Sequence, residues 1–130
     1  MGGKFVDQGR NDAATKYVKS EYSNLYLGLY KNTTEPAQNA TLASLTEESG
    51  SGYARIALAS ADWTVTANVA ENLQKTFTPT ADWGNVYGYF IATSTDGSGL
   101  LLWVEHFSNG PYNLLNGVPV KITPKVTITG

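Results

Sequence analysis

The tripeptide Ala-Asp-Trp occupies residues 61–63 and returns at 81–83, and Trp103 continues the interval of twenty residues set by Trp63 and Trp83. These residue types suit saccharide chemistry, because indole faces stack on sugar rings and the carboxylates of Asp62 and Asp82 accept hydrogen bonds from hydroxyls. In a competing reading, each Asp ends a loop and each Trp begins or fills a strand. The residues that follow differ, "TVTANVA" against "GNVYGYF", so the recurrence is no true internal repeat. It is read mainly as a mark of strand starts, with the sugar platform as the second reading.

Little else in the chain offers catalytic groups. His106 is the only histidine, which leaves no two-His metal site and no Ser-His-Asp relay with a spare imidazole. Its neighbours Glu105 and Phe107 point to the opposite side of a strand, so His106 is expected to be packed or solvated. The absence of cysteine removes disulfides, thiolate nucleophiles and Cys-ligated zinc together. Asp62 with Asp82, or Glu47 with Glu48, would serve glycoside hydrolysis only at a set separation, which the sequence does not fix. Glu47-Glu48 reads as a solvated charge run in a polar loop. Arg55 in "GYARIAL" is expected to form a structural ion pair with one of the two, since one short stretch supplies both signs. The Gly-Ser-Gly runs at 50–52 and 97–99 neither open a helix nor carry a Walker lysine, so both are turns. No catalytic residue, metal or cofactor is expected.

Nine Lys and Arg stand against eleven Asp and Glu, a formal net charge of −2, and there is no positive excess to neutralise a phosphate backbone. Nucleic acid is therefore not an expected partner. The 130 residues suit one domain, and a chain of this size buries roughly two-thirds of its unfolded surface. An N-terminal arm is assigned to residues 1–10 and a single β-sandwich domain to 11–130. The start, Met-Gly-Gly-Lys-Phe-Val, lacks the apolar run of a signal peptide and the Ser or Thr of a myristoylation signal. Synthesis in a cytoplasm is expected, with no membrane partner, and the sequons at Asn32 and Asn39 read as loop sequence.

The positioning elements follow from periodicity. Val6, Ala13, Ala14, Tyr17 and Val18 fall at helical intervals, with Asn11 or Asp12 as cap, and predict one short N-terminal helix. In "NLYLGLYKN", Leu25, Leu27 and Leu29 alternate with Tyr26, Gly28 and Tyr30, which predicts a strand covered on both faces. Residues 31–51 form the longest loop, with a turn of helix where Leu42 and Leu45 touch the body. Beyond it, "YARIALA", "WTVTANVA", "LQKTFTPT", "NVYGYFIAT", "LLLWVEHF", "VPVKITP" and "KVTITG" predict strands, with turns at Asp96-Gly97, Asn109-Gly110 and Asn116-Gly117. The fold expected is all-β, an antiparallel β-sandwich of seven to eight short strands with one short N-terminal helix. In the hairpin around Asp96, Leu100, Leu102 and Val104 are expected on one face and Leu101, Trp103 and Glu105 on the other. Both faces are largely apolar, so the pair is either central or covered by another subunit.

The order "LYLGLYKN", "LASLTEESGSGYARIAL", "WGNVYGYFIATS", "LLLWVEHF" and "VPVKITPKVTI" resembles small structural proteins of tailed bacteriophages, described as capsid decoration (cement) or tail-fibre-like virion proteins. The likeness covers roughly residues 20–128, and its most distinctive part is 47–58. It implies a β-sandwich that assembles as a symmetric oligomer without catalytic activity. The leading expectation is a decoration protein in the virion that binds the major capsid protein and itself, as a twofold or threefold homo-oligomer such as a trimer. The alternative is a tail-fibre or receptor-binding module that contacts host surface glycans. Composition agrees with a contact protein, with eight Tyr, three Trp and four Phe. The interface candidates are Lys4, Phe5 and Val6 of the arm, together with Trp63, Trp83, Trp103, Tyr87 and Tyr89.

Overall fold

The computed structural model describes residues 6–128. It begins with helix α1, Asp7–Thr15, which continues through a π-helical turn over Lys16–Ser20. The helix starts before the expected Asn11 or Asp12 cap and takes in residues assigned to the arm. Val6 is its N-cap, extended and without a side-chain cap bond. Local charge compensates: Asp7 lies at the positive end of the helix and pairs with Arg10, and Asp12 meets Lys16 at 3.0 Å one turn on. Ala14 and Val18 are the buried positions.

Among the described residues eleven short strands follow: β1 Asn24–Tyr30, β2 Ile56–Ala59, β3 Thr64–Thr66, β4 Val69–Glu71, β5 Lys75–Phe77, β6 Gly84–Val86, β7 Gly88–Ala92, β8 Leu101–His106, β9 Tyr112–Leu114, β10 Val120–Ile122 and β11 Lys125–Thr127. Every pairing is antiparallel. The count exceeds the expected seven to eight because two runs are divided and one strand, β9, was not anticipated. "WTVTANVA" folds back on itself at Ala67-Asn68, where Ala67 adopts φ 56°. "NVYGYF" changes partners at Tyr87, β6 pairing with β9 and β7 with β1 and β8.

The main sheet has the order β2-β1-β7-β8, and the smaller groups β11-β4-β3, β10-β5 and β6-β9 make a sandwich-like arrangement with it. Helix α1 lies against β3 and β4. Leu25, Leu27, Leu29, Leu58 and Ile91 of the main sheet meet Ala70, Phe77, Ile122, Val126, Trp63 and Trp83 in one core. Tyr89 adds a polar link across it, its hydroxyl lying 3.3 Å from Lys125 N and 3.4 Å from Lys125 O.

The opposite face of the main sheet carries a second cluster, Tyr30, Phe90 and Ala92, against which Leu42 and Leu45 of the 31–51 loop pack. Both faces of β1 and β7 are thus covered, as the alternation of Leu and Tyr required, and the chain's own loop covers the second. Gly28 permits this packing. A Cβ at Gly28 would lie 2.3 Å from Phe90 Cζ, so only a residue without one lets that ring rest on the backbone.

The expected alternation in β8 fails at one point. The register passes from Ile91↔Trp103 to Ala92↔Leu101, which leaves Leu102 as an extra residue in a β-bulge. Upstream of the bulge the side chains change faces: Leu101 joins Val104 beside Phe90, while Leu102 packs with Trp103 against the main core.

Candidate functional site

The segment joining the long loop to β2 contains most of the buried polar chemistry. Glu47 forms an isolated bridge with Tyr30, and Glu48 N donates to Leu29 O at 3.0 Å, so residues 47 and 48 lie alongside β1. Alternation then sends their two carboxylates to opposite sides. Glu47 forms a bidentate pair with Arg55, Nε to Oε2 at 2.9 Å and Nη2 to Oε1 at 2.8 Å. Arg55 Nη1 donates to the carbonyls of Ser94 and Asp96 at 2.7 and 2.8 Å, and its guanidinium lies 5.0 Å from the Phe90 ring centroid. Tyr53 donates to Glu47 Oε2 at 2.6 Å and accepts from Leu29 N at 3.0 Å. The ion pair expected for Arg55 is thereby identified as Glu47, and its hydrogen bond raises the guanidinium pKa further.

Glu48 corrects the reading of Glu47-Glu48 as a solvated run, since it is 4% exposed. Its Oε2 accepts from Ser49 N and Gly50 N at 3.0 and 2.7 Å, and Lys31 Nζ stands 3.4 Å from Oε1. Lys31 also donates to Trp83 O at 2.5 Å, and the Trp83 indole donates to Ser51 O at 2.9 Å. The 48–53 turn is thus wrapped on Trp83. A Cβ at Gly50 would fall 2.2 Å from Trp83 Cδ1, and Gly52 holds φ +84°.

His106 is packed, as expected: its Nδ1 shares a 2.9 Å hydrogen bond with Tyr30 Oη, and its ring stacks near Tyr30 and Tyr87. Asp62 ends a 3-10 turn, whereas Asp82 Oδ1 accepts from Asn116 N at 2.9 Å and fixes the turn after β9. The two aspartates serve separate local structures. Among the described residues, no group of three or more His, Cys, Asp or Glu comes together to hold a metal ion.

Burial pushes up the phenol pKa values of Tyr30 and Tyr53, and for Tyr53 the hydrogen bond to Glu47 adds to the effect. A phenol pKa raised above its ordinary value of 10.0 stabilises the fold fully below pH 10, and that contribution is lost as pH rises towards the folded-state pKa. The urea midpoint is therefore expected to fall steadily above about pH 10. Urea titrations followed by far-ultraviolet dichroism test this, and a midpoint unchanged to pH 11.5 contradicts the buried phenols.

The interface candidates divide by burial. Lys4 and Phe5 lie outside the described residues. Val6 is 64% exposed, Trp63, Trp83 and Tyr89 are buried, and Tyr87 and Trp103 are half-buried. Trp63 and Trp83 hold the core together and present no face to a partner, so the three tryptophans form no platform. Sequence reasoning passed over Tyr112, Leu115 and Val118, large apolar side chains exposed close together along the chain. Leu115 and Val118 flank the expected Asn116-Gly117 turn, so the signal was an apolar pair bracketing a turn.

Trp103 packs against the main core with its indole nitrogen enclosed, and its strand contributes to the surface in a different way. β8 is an outer strand of the main sheet, and a groove of about 450 Å³ runs between its residues 101–104 and the loop at 35–40. Glu35, Gln38, Leu101 and Val104 are among its lining residues. The loop is held by its own polar bonds: Asn32 Oδ1 accepts from Thr46 N at 2.7 Å, Asn32 Nδ2 donates to Ser44 O at 3.1 Å, and Thr41 and Ser44 cap each other.

The geometry defines a β-sandwich whose buried charges brace its own loops, and the family match over most of its length makes it a tailed-phage structural protein of the tail-fibre-like kind. The chain belongs to the family described as Podophage GP4 fiber I protein gp80, whose model matches residues 8–125. No curated protein and no solved structure matches it. Among the described residues, no helix is long and apolar enough to cross a membrane.

Proposed function

We propose that this chain is a component of a podophage tail fibre that contacts glycans on the host surface. The match to a fibre family over residues 8–125 carries this reading and supports it over that of a capsid decoration protein bound to the major capsid protein. The burial of Tyr30, Phe90 and Ala92 beneath the chain's own loop weakens the case that a second subunit is needed to cover the hairpin. Assembly into a homo-oligomer, on a virion built in the host cytoplasm, remains part of the proposal, since weak contacts by several copies on one fibre add by effective concentration. The test has two parts. Gold-labelled antibody against the chain should mark tails in electron micrographs of virions, and the purified chain should be retained on host cells. Labelling of the head surface alone returns the decoration reading.

A further inference from the structure

We propose that the groove between β8 and the 35–40 loop is a saccharide site, selective for uncharged sugars; the inference rests on the fibre reading and supplies its contact point. Size and shape come first. About 450 Å³ is within the range of small-molecule sites, and a groove open along one side admits a chain at any point rather than only by its end.

The lining chemistry is that of hydroxyl recognition. Glu35 and Gln38 form no side-chain hydrogen bond or ion pair among the described residues, while Asn32, Thr41 and Ser44 beside them are engaged in holding the loop. The two free side chains supply carboxylate acceptors and an amide that both donates and accepts, the set that vicinal hydroxyls satisfy. The opposite wall is the outer edge of β8, whose outward backbone groups have no strand partner among the described residues. Leu101 and Val104, whose side chains lie on the face that the loop covers, supply apolar surface for the C–H faces of a pyranose ring.

Charge sets the class. Among the described residues, Glu35 is the one charged residue lining the groove, and no cation lines it. An acidic sugar would place its carboxylate or phosphate beside Glu35 without a counter-charge, so the groove takes neutral saccharides and rejects acidic ones. The loop reaches the site already braced, which reduces the ordering cost of binding.

The experiment uses the full chain on an array of neutral and acidic bacterial oligosaccharides, followed by calorimetric titration of the best ligand. Binding to neutral glycans is expected, about tenfold weaker in Glu35→Ala and in Gln38→Ala. The conservative Glu35→Gln is expected to keep neutral-glycan binding and to admit acidic glycans as well. Neutral-glycan binding that Glu35→Ala and Gln38→Ala both leave intact overturns the groove while the fibre reading stands. Preference for acidic glycans overturns the assigned class. Retention on host cells without binding to any glycan shows a protein receptor and overturns the site. A chain that binds neither glycans nor cells, or a groove found filled by a strand of a neighbouring virion protein pairing with β8, overturns it as well.

Discussion

Glu47→Ala is expected to destabilise the protein by about 3 kcal/mol, because it leaves a buried cation without its counter-charge. The Arg55 side chain is 6% exposed and that of Glu47 28% exposed, so water reaches the carboxylate in part but not the guanidinium. The loss is accordingly placed at the lower end of the range for broken buried pairs. Three groups lose a partner together: Arg55 Nε, Arg55 Nη2 and the Tyr53 hydroxyl. For a domain of this size the melting temperature should drop by about 10 °C. The urea midpoint is the direct measure, and a loss below about 1 kcal/mol would mean that the pair behaves as a surface ion pair. The double variant Glu47→Ala with Arg55→Met should recover part of the loss, since removing both charges leaves no unpaired ion.

Glu47 and Arg55 also show how far the sequence could be read. Opposite charges a few residues apart announced an ion pair, and the Leu and Tyr alternation of β1 announced a strand covered on both sides. Local pattern sufficed there because the partners are close in sequence or share one strand. It failed where the answer lay in a distant segment. Glu48 looked solvated because Lys31 and the backbone of a turn packed on Trp83 are not visible in "TEES". The faces of Leu101 and Leu102 depend on a bulge set by pairing with β7, and alternation within β8 carries no record of it. The groove could not be foreseen for the same reason: residues 35–40 and 101–104 meet only after the main sheet has formed. The twenty-residue interval of the tryptophans carried less than it suggested, since strand and loop lengths alone return an aromatic residue to the core at similar distances.

Trp83→Ala separates these roles most sharply and is expected to cost about 4 kcal/mol, the usual range for emptying a buried tryptophan site. Trp83 is 4% exposed, its indole donates to Ser51 O, and its ring stands edge-on to Tyr53 at 5.6 Å. The loss reaches beyond the cavity. Gly50 is a glycine because the indole occupies the place of its side chain, so without the ring the 48–53 turn loses the surface on which it is wound. Glu48 and Tyr53, both within that turn, would then be held less firmly, and the Glu47–Arg55 pair with them. Protection of the 48–53 amides from hydrogen exchange is therefore expected to fall more than protection of β7, whose amides lie in the centre of the main sheet. A sugar-stacking role predicts the reverse: a stable variant that has lost glycan binding. Stability unchanged within about 1 kcal/mol would remove Trp83 from the core and restore it as a candidate binding face.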